Sequence, residues 1–155
     1  MLTEEIIRYI ERSVLCWLAT SSKENMPNVS PKEVFTYSDT STILVANIAS
    51  PQTVKNIRQN EKVCISFIDV FVQKGFQLKG NARIVTKSET IFTELEKPLL
   101  QITQGKFPFS SITEITITEV KPIIAPKYIL YPETTERQQI ESAIATYQKQ
   151  QKRYE

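Results

Sequence analysis

Two short stretches of this sequence carry polar side chains at spacings that could bind a ligand. In the first, residues 27–32, the alternate positions Asn28, Ser30 and Lys32 share one side if the chain is extended. An amide, a hydroxyl and a cation in one row could hydrogen-bond the polar edge of a ring or a phosphate. Pro31 cannot donate to a sheet ladder and indicates an edge or irregular point. A solvated strand face has the same composition, so both interpretations stay open.

The second stretch, residues 46–55, joins a strand to a helix. Ser50 followed by Pro51 is a strong helix start, with serine as the cap and proline at the first helical position. Such a start points free backbone N–H groups and the positive end of the helix dipole at one place, which favours an anion. Thr53 adds a hydroxyl and Lys55 adds a charge. A simple cap with a solvent-facing lysine explains the pattern equally well.

A third stretch combines glycines with positive charges. Gly75 is typical of a turn, and Gly80 within a strand indicates a bulge or a close approach of another backbone or a ligand. Lys74, Lys79 and Arg83 could serve a phosphate or the solvent.

The chain has no histidine, which excludes Ser-His-Asp and Cys-His triads, the HExxH zinc motif and most catalytic zinc sites. Cys16 and Cys64 are too far apart for a local metal or redox pair, and two cysteines do not make a disulfide framework. We therefore expect no metal site, and chemistry carried by a bound cofactor.

Bulk composition indicates an ordinary globular protein. With 155 residues, 41% hydrophobic and 23% charged, the chain fits one domain over residues 1–155, with a barrel in 1–130 and a helix in 131–155. A net charge of +2 predicts neither a nucleic-acid nor a membrane partner. No apolar run reaches the length of a membrane span and the first residues are acidic, so we expect a cytoplasmic protein.

The elements that must position the polar stretches follow from periodicity and turn signals. The helices are predicted at residues 3–13, 51–60, 88–100 with a stop near Pro98, and 133–154. Six strands are predicted at residues 14–19, 28–37, 42–47, 62–72, 76–85 and 112–120. The first of these strands is apolar throughout, which predicts burial on both faces. The strands at 28–37 and 42–47 should pair as a hairpin.

Most of these strands follow one another through short turns. The sheet is therefore predicted to be mainly antiparallel, and this many strands in one small domain favour closure into a barrel. The expected fold is mainly β with flanking helices.

The ordered set of motifs resembles the flavin-binding split barrels of the pyridoxamine 5'-phosphate oxidase-like family. The likeness covers about residues 14–86, and its motifs are Leu18-Ala19-Thr20, Pro27 to Lys32, Ser50 to Ile57, Asn60 to Val63 and Leu78 to Arg83. The resemblance implies a six-stranded antiparallel split β-barrel that forms a homodimer and holds flavin mononucleotide (FMN) at the subunit interface.

The resemblance also implies which residues bind the cofactor. One strand would line the flavin, the next would approach its ring system, and the helix start would lie near the phosphate; Gln77 is a further residue carried over from the family. In that order the implied residues are Asn28, Val29, Ser30, Lys32, Ala46, Asn47, Ser50, Thr53, Val54, Lys55 and Gln77.

Two departures from the family pattern bear on function. The oxidase closes its substrate site with a C-terminal arginine and histidine, which a chain without histidine cannot reproduce, so the oxidase itself is not expected. Gln52 and Thr53 also replace the two adjacent basic residues that the family tends to place at the helix start. The expected function is an FMN-dependent oxidoreductase acting on a small molecule, with no catalytic side chain named. The alternatives are a non-catalytic flavin, deazaflavin or haem binding or storage protein, and a barrel module without cofactor.

Overall fold

The structure, a computed structural model, describes residues 2–154; Met1 and Glu155, the ends of the predicted domain, lie outside the described residues. The described residues form five helices and seven strands. The helices are α1 Glu4–Arg12, α2 Pro51–Gln59, α3 Phe92–Thr103, α4 Pro126–Leu130 and α5 Glu136–Gln151. The strands are β1 Cys16–Ser21, β2 Pro27–Lys32, β3 Phe35–Tyr37, β4 Thr42–Ala46, β5 Lys62–Asp69, β6 Lys74–Thr86 and β7 Ser111–Ile124.

All seven strands belong to one antiparallel sheet with the order β2-β1-β5-β6-β7-β4-β3. The two edge strands, β2 and β3, are consecutive in the chain and only two residues, Glu33 and Val34, separate them. The sheet must therefore curl until its edges meet, which makes it a split barrel. This confirms the predicted fold class.

The predicted number of six strands is wrong, because residues 28–37 form two strands and not one. β2 pairs with β1, whereas β3 pairs with β4, so only the second half of the predicted hairpin exists. The chain changes sheet neighbour directly after Pro31 and Lys32. A proline that cannot donate to the ladder suits this edge position.

The first apolar run is also placed differently from the prediction. The strand begins at Cys16, and its inward side chains Cys16, Leu18 and Thr20 are buried. Trp17 on the other face is 48% exposed, and Val14 lies outside the strand with 82% exposure. The run is therefore buried on one face only, because β1 has the barrel interior on one side, and on the other side the described residues leave Trp17 half exposed.

The core has two parts. The barrel interior is filled by apolar side chains from the strands and from α1, among them Leu18, Ile65, Phe67 and Leu78. A second cluster lies between α3 and the strands β4, β6 and β7 and includes Leu44, Val85, Leu99 and Ile112. At α1, Thr3 caps the helix, with the Ile6 N–H donating to Thr3 Oγ1 at 3.3 Å.

β6 alternates as predicted, with Phe76, Leu78, Gly80 and Ala82 buried. Its pairing with β7 shifts register between Lys79 and Gly80, which confirms the predicted irregularity at this glycine. A Cβ atom at Gly80 would collide with the backbone carbonyl of Thr116. The glycine is therefore required by the close approach of β7.

The predicted end of the third helix near Pro98 is wrong, because α3 continues to Thr103. Proline removes one helical hydrogen bond, but Leu95 and Leu99 lie on the face that packs into the second core cluster. Leu99 is fully buried immediately after the proline. Packing of this apolar face keeps the helix going past the break.

The C-terminal helix is shorter than predicted, because it begins at a capping box and not at Glu133. The Gln138 N–H donates to Thr135 Oγ1 at 3.3 Å, and the Thr135 N–H donates to Gln138 Oε1 at 2.9 Å.

β5 ends at Asp69, whose carboxylate accepts the N–H groups of Phe71 and Val72 in the turn that follows. Over residues 2–154 no helix has the length and apolar character needed to cross a membrane.

Candidate functional site

Two cavities lie near the start of α2. The larger cavity has a volume of about 580 Å³ and is lined by α2, the turn before it, Thr86 and residues 110–111. The smaller cavity has a volume of about 220 Å³ and is lined by the ends of β2 and β4, the residues that follow them, and Phe107. Together they contain six of the predicted cofactor residues, namely Lys32, Ala46, Asn47, Ser50, Val54 and Lys55.

Lys32 connects the two cavities. Its side chain lines the smaller cavity, is only 6% exposed, and donates a hydrogen bond of 2.5 Å to the hydroxyl of Ser50, which lines the larger one. Burial lowers the pKa of the Lys32 ammonium, and the nearby Cys16 opposes that effect. Within residues 2–154 no carboxylate forms a salt bridge with Lys32. A buried cation without a counter-ion is costly unless a ligand supplies the negative charge.

The start of α2 leaves two backbone donors unused. Ser50 occupies the predicted cap position, but its hydroxyl does not cap the helix and instead donates to the carbonyl of Ile48 at 2.9 Å. No acceptor among the described residues receives the N–H groups of Gln52 or Thr53. Ala49, directly before the cap, has φ of 49°, a left-handed conformation that is strained for alanine. These N–H groups without an acceptor, together with the helix dipole, make this end of α2 suited to an anion.

Two further cations line the larger cavity. Lys55 and Arg58 lie three positions apart, which puts them on the same face of α2. Neither forms a salt bridge with a carboxylate of the described residues. Arg58 was not among the predicted site residues, although its helical spacing from Lys55 is visible in the sequence.

The three cations of the glycine-rich stretch behave differently. Lys74 pairs with Glu136 at 2.8 Å, and Lys79 pairs with Glu119 at 3.0 Å. Arg83 contacts both Glu114 and Glu89, at 2.5 Å and 2.9 Å. These side chains have their counter-ions within the chain. In contrast, the cations that line the two cavities, Lys32, Lys55 and Arg58, form no salt bridge with any described carboxylate.

The predicted polar row on β2 packs largely against α2. Ser30 and Thr53 share a hydrogen bond of 3.3 Å between their hydroxyls, and Thr53 is buried. The Asn28 amide donates to Thr20 at 3.5 Å, and the fully buried Asn56 donates to the same hydroxyl at 3.0 Å. Of the row, Lys32 alone lines one of the two cavities. Ser30 with Thr53, and Asn56 with Thr20, thus attach the helix to the sheet, whereas Asn28 joins β2 to β1.

Val29 and Gln77 lie on the outside of the sheet, away from both cavities. Val29 is 60% exposed. Gln77 is directly opposite Ser66 in the β5–β6 pairing, and Ser66 is opposite Trp17, so the three side chains share one outer face. Within one chain, these two predicted residues are not brought to the site.

Asn47 is fixed by a segment far away in the sequence. Its amide donates to the Ser111 hydroxyl at 3.2 Å, and its carbonyl oxygen accepts from the Thr113 hydroxyl at 2.8 Å. Ser110 and Ser111 themselves line the larger cavity, and Phe107 lines the smaller one. These residues were missed by sequence reasoning because only the pairing of β4 with β7 brings them to the helix start.

The cavities fit a ligand that combines an anionic group with a flat body. Two cations and several hydroxyls surround the larger cavity beside the start of α2, as a phosphate monoester requires. The smaller cavity offers Ala46, Ile48 and the ring of Phe107 beside the buried Lys32. The described residues contain no group of three or more Cys, Asp or Glu side chains that could hold a metal ion. The residues present therefore fit FMN.

Comparisons with solved structures find the same fold. HupZ of Group A Streptococcus is 25% identical and superimposes with a TM-score of 0.67, over 77% of this chain and 92% of that one. A Lactobacillus delbrueckii protein with the provisional name pyridoxamine 5'-phosphate oxidase is 22% identical, with a TM-score of 0.65 over 77% of this chain and 93% of its own. An FMN-binding protein of Syntrophomonas wolfei is 16% identical, with a TM-score of 0.64 over 78% of this chain and 88% of its own.

A comparison with curated protein sequences gave no match. The family described as pyridoxamine 5'-phosphate oxidase, in contrast, matches residues 2–124, which comprise the whole barrel from before α1 to the end of β7. With its split barrel and this match over most of its length, the chain belongs to the pyridoxamine 5'-phosphate oxidase family.

Proposed function

We propose that this protein binds FMN, with the phosphate in the larger cavity and the ring in the smaller one, and acts as an oxidoreductase on a small molecule. The observation that carries the proposal is the set of three cations without counter-ions, Lys32, Lys55 and Arg58, beside the free N–H groups of α2. A solved relative of the same fold is an FMN-binding protein, which supports FMN as the ligand.

Each of these residues has a separate task in the proposed complex. Lys55, Arg58 and the N–H groups of Gln52 and Thr53 hold the phosphate by charge-assisted hydrogen bonds. Lys32 places a positive charge beside the ring, and such a charge favours the electron-rich reduced ring. The flavin supplies the electron transfer when it is bound, so the protein needs to contribute only orientation and electrostatics. The electron donor would be a reduced nicotinamide or another small donor.

Titration with FMN and with riboflavin, which lacks the phosphate, tests the proposal. FMN is expected to bind about 100-fold more tightly or better, because two charge-assisted contacts each contribute about 1.5–3 kcal/mol. Flavin absorbance and fluorescence report both titrations. Equal affinities would contradict a phosphate in the larger cavity, and no uptake of either compound would contradict flavin binding altogether. Reduction of the bound flavin by nicotinamide donors then tests the oxidoreductase.

Lys32→Met is expected to make bound FMN harder to reduce. Removing one positive charge beside the ring lowers the midpoint potential by about 30–60 mV, since a charged contact contributes about 1.5–3 kcal/mol and 30 mV of a two-electron couple is about 1.4 kcal/mol. Methionine is unbranched and only one atom shorter than lysine, so the variant keeps most of the side-chain bulk and removes the charge together with the hydrogen bond to Ser50. Anaerobic titration against a dye of known potential measures the change.

Lys97→Met on the exposed face of α3 is the matched control, because it removes the same charge away from both cavities. Its midpoint potential should equal that of the wild type. An unchanged potential in Lys32→Met with FMN still bound would place the ring elsewhere.

We also propose that the protein is a homodimer that pairs through the outer face of β1 and β5. Trp17 and Ile68 lie on this outer face and Val70 and Phe71 in the turn after β5, with exposures of 48%, 36%, 41% and 44%. Together with Val14 these side chains surround a cavity of about 500 Å³ that is largely apolar. A contiguous exposed apolar surface of this kind is typical of a protein interface. Gln77 lies on the same face and would belong to that interface.

Trp17→Asp is expected to weaken self-association by about 30-fold or more, because a central tryptophan commonly contributes 2 kcal/mol or more and the new carboxylate is desolvated. Sedimentation equilibrium measures the change. Ile102→Asp, which introduces the same charge at an exposed position on α3, should remain dimeric. A wild-type protein that sediments at 17.8 kDa at micromolar concentration would contradict the proposal.

A non-catalytic binding or storage role is the second candidate, and the absence of histidine from the sequence favours it. The family's substrate-closing histidine has no counterpart here. Flavin or deazaflavin fits the cations of the larger cavity, whereas haem would need an axial ligand other than histidine. If the flavin-loaded protein accepts no electrons from nicotinamide donors and oxidises nothing in a panel of small metabolites, the storage role is supported.

A further inference from the structure

Residues 107–111, which are the end of the loop before β7 and the first residue of that strand, contribute to both cavities. Phe107 lines the smaller cavity, and Ser110 and Ser111 line the larger one. Lys32 and Ser50, joined by their 2.5 Å hydrogen bond, also contribute one residue to each cavity. A ligand that occupies both cavities therefore has this segment as a continuous neighbour.

Phe107 is held in place without being part of the core. Before it, Gln104 and Gly105 turn the chain with φ of 50° and 73°, and the Lys106 N–H donates to the Thr103 carbonyl at 3.0 Å. After it comes Pro108, and then Phe109, which is 9% exposed and packs against Phe92 with ring centroids 6.3 Å apart. The chain is therefore anchored on both sides of Phe107, while the Phe107 ring itself stays 54% exposed.

We propose that Phe107 contacts the face of the flavin ring and fixes its orientation in the smaller cavity. This inference rests on the flavin binding proposed above. Aromatic rings prefer offset or edge contacts with other flat ring systems, and an exposed phenyl group at a cavity gains such a partner when the ring arrives. In this arrangement Lys32 contacts the polar edge of the ring, and Phe107 contacts its face. Two contacts in different directions define the orientation.

A contact between residue 107 and the flavin ring can be measured by the fluorescence of the bound flavin. An indole in contact with a flavin quenches flavin emission by electron transfer from the indole, whereas a phenyl group does not. Phe107→Trp in a Trp17→Phe background, where the introduced indole is the only one, is expected to reduce the emission of bound FMN at least about fivefold. Leu100→Trp in the same background is the control, because Leu100 is exposed on α3 and lines neither cavity.

A second variant tests the contact through affinity. Phe107→Leu is expected to weaken the binding of FMN and the binding of riboflavin by the same factor, about 3- to 10-fold. The reason is that the lost aromatic contact involves the ring and not the phosphate. An effect on FMN alone would contradict the inference.

The measurements distinguish a wrong role for Phe107 from a failure of flavin binding itself. Failure of the wild type, which retains Trp17, to take up FMN or riboflavin would overturn flavin binding and Phe107 together. Normal FMN binding with undiminished emission in Phe107→Trp would overturn only the role of Phe107. Quenching in Phe107→Trp, with bright emission in Leu100→Trp, supports the proposed contact.

Discussion

Replacing Lys55 and Arg58 together by alanine is expected to weaken FMN binding by about 100- to 1,000-fold. Both side chains line the larger cavity on one face of α2 and have no carboxylate partner among the described residues, so their charges are available to the ligand. Charge-assisted hydrogen bonds contribute about 1.5–3 kcal/mol each, and because both side chains are exposed we take two of them near the lower end, about 3–4 kcal/mol in all, which corresponds to this factor. Fluorescence titration with FMN measures the loss.

Riboflavin makes this experiment specific to the phosphate. The double variant should bind riboflavin with the affinity of the wild type, because riboflavin presents no anion to the two missing side chains. The affinity of the wild type for FMN should also decrease with salt, whereas its affinity for riboflavin should not.

Lys149→Ala with Lys152→Ala is the control for net charge. It removes two positive charges from exposed positions at the end of α5 and leaves the larger cavity unchanged. This control should keep wild-type affinity for FMN. Two results would show that the phosphate does not lie between Lys55 and Arg58. One is an equal loss of FMN affinity in this control and in the variant that lacks Lys55 and Arg58, and the other is a loss of riboflavin affinity in the latter variant.

Gly80→Ala is expected to destabilise the fold by about 3 kcal/mol or more. The added methyl group would collide with the backbone carbonyl of Thr116 on β7, and a backbone cannot move aside as the end of a side chain can. The collision lies where the β6–β7 pairing shifts register, in the centre of the sheet order. Urea denaturation measures the free energy of unfolding, and a loss of this size is a large part of the 5–15 kcal/mol typical of a domain.

Gly105→Ala separates steric collision from backbone conformation. Gly105 has φ of 73° and open space where a Cβ would lie, so only the cost of the left-handed conformation remains, about 1 kcal/mol. A loss at Gly80 no larger than the loss at Gly105 would show that β7 adapts to the methyl group.

Sequence patterns predicted the features that depend on neighbouring residues. The positions of α1, α2 and β6 in the chain and the irregularity at Gly80 were predicted and are confirmed, whereas the predicted Ser50 side-chain cap of α2 is wrong. Each of these depends on local backbone sterics or on a repeat of two or 3.6 residues. Such signals are complete within ten or so positions of the chain.

The errors occur where a distant contact decides the outcome. α3 continues past Pro98 because Leu99 has a buried position against the strands. Trp17 is half exposed because the described residues do not fully cover that face of β1. The chain breaks between β2 and β3 because the two belong to opposite edges of the sheet order. A local pattern contains no information on any of these contacts.

The sequence by itself determined the fold class, the family likeness, and the presence of Lys32, Ser50 and Lys55 near one another. Only the tertiary structure decided that Lys32 is a buried cation with no carboxylate partner among the described residues, that Ser30 helps to attach a helix, and that Phe107 and Ser111 line the cavities. The reason is sheet closure. Residue types and short spacings are written in the chain, but burial, counter-ions and neighbours more than sixty positions away exist only once β7 pairs with β4 and the barrel forms.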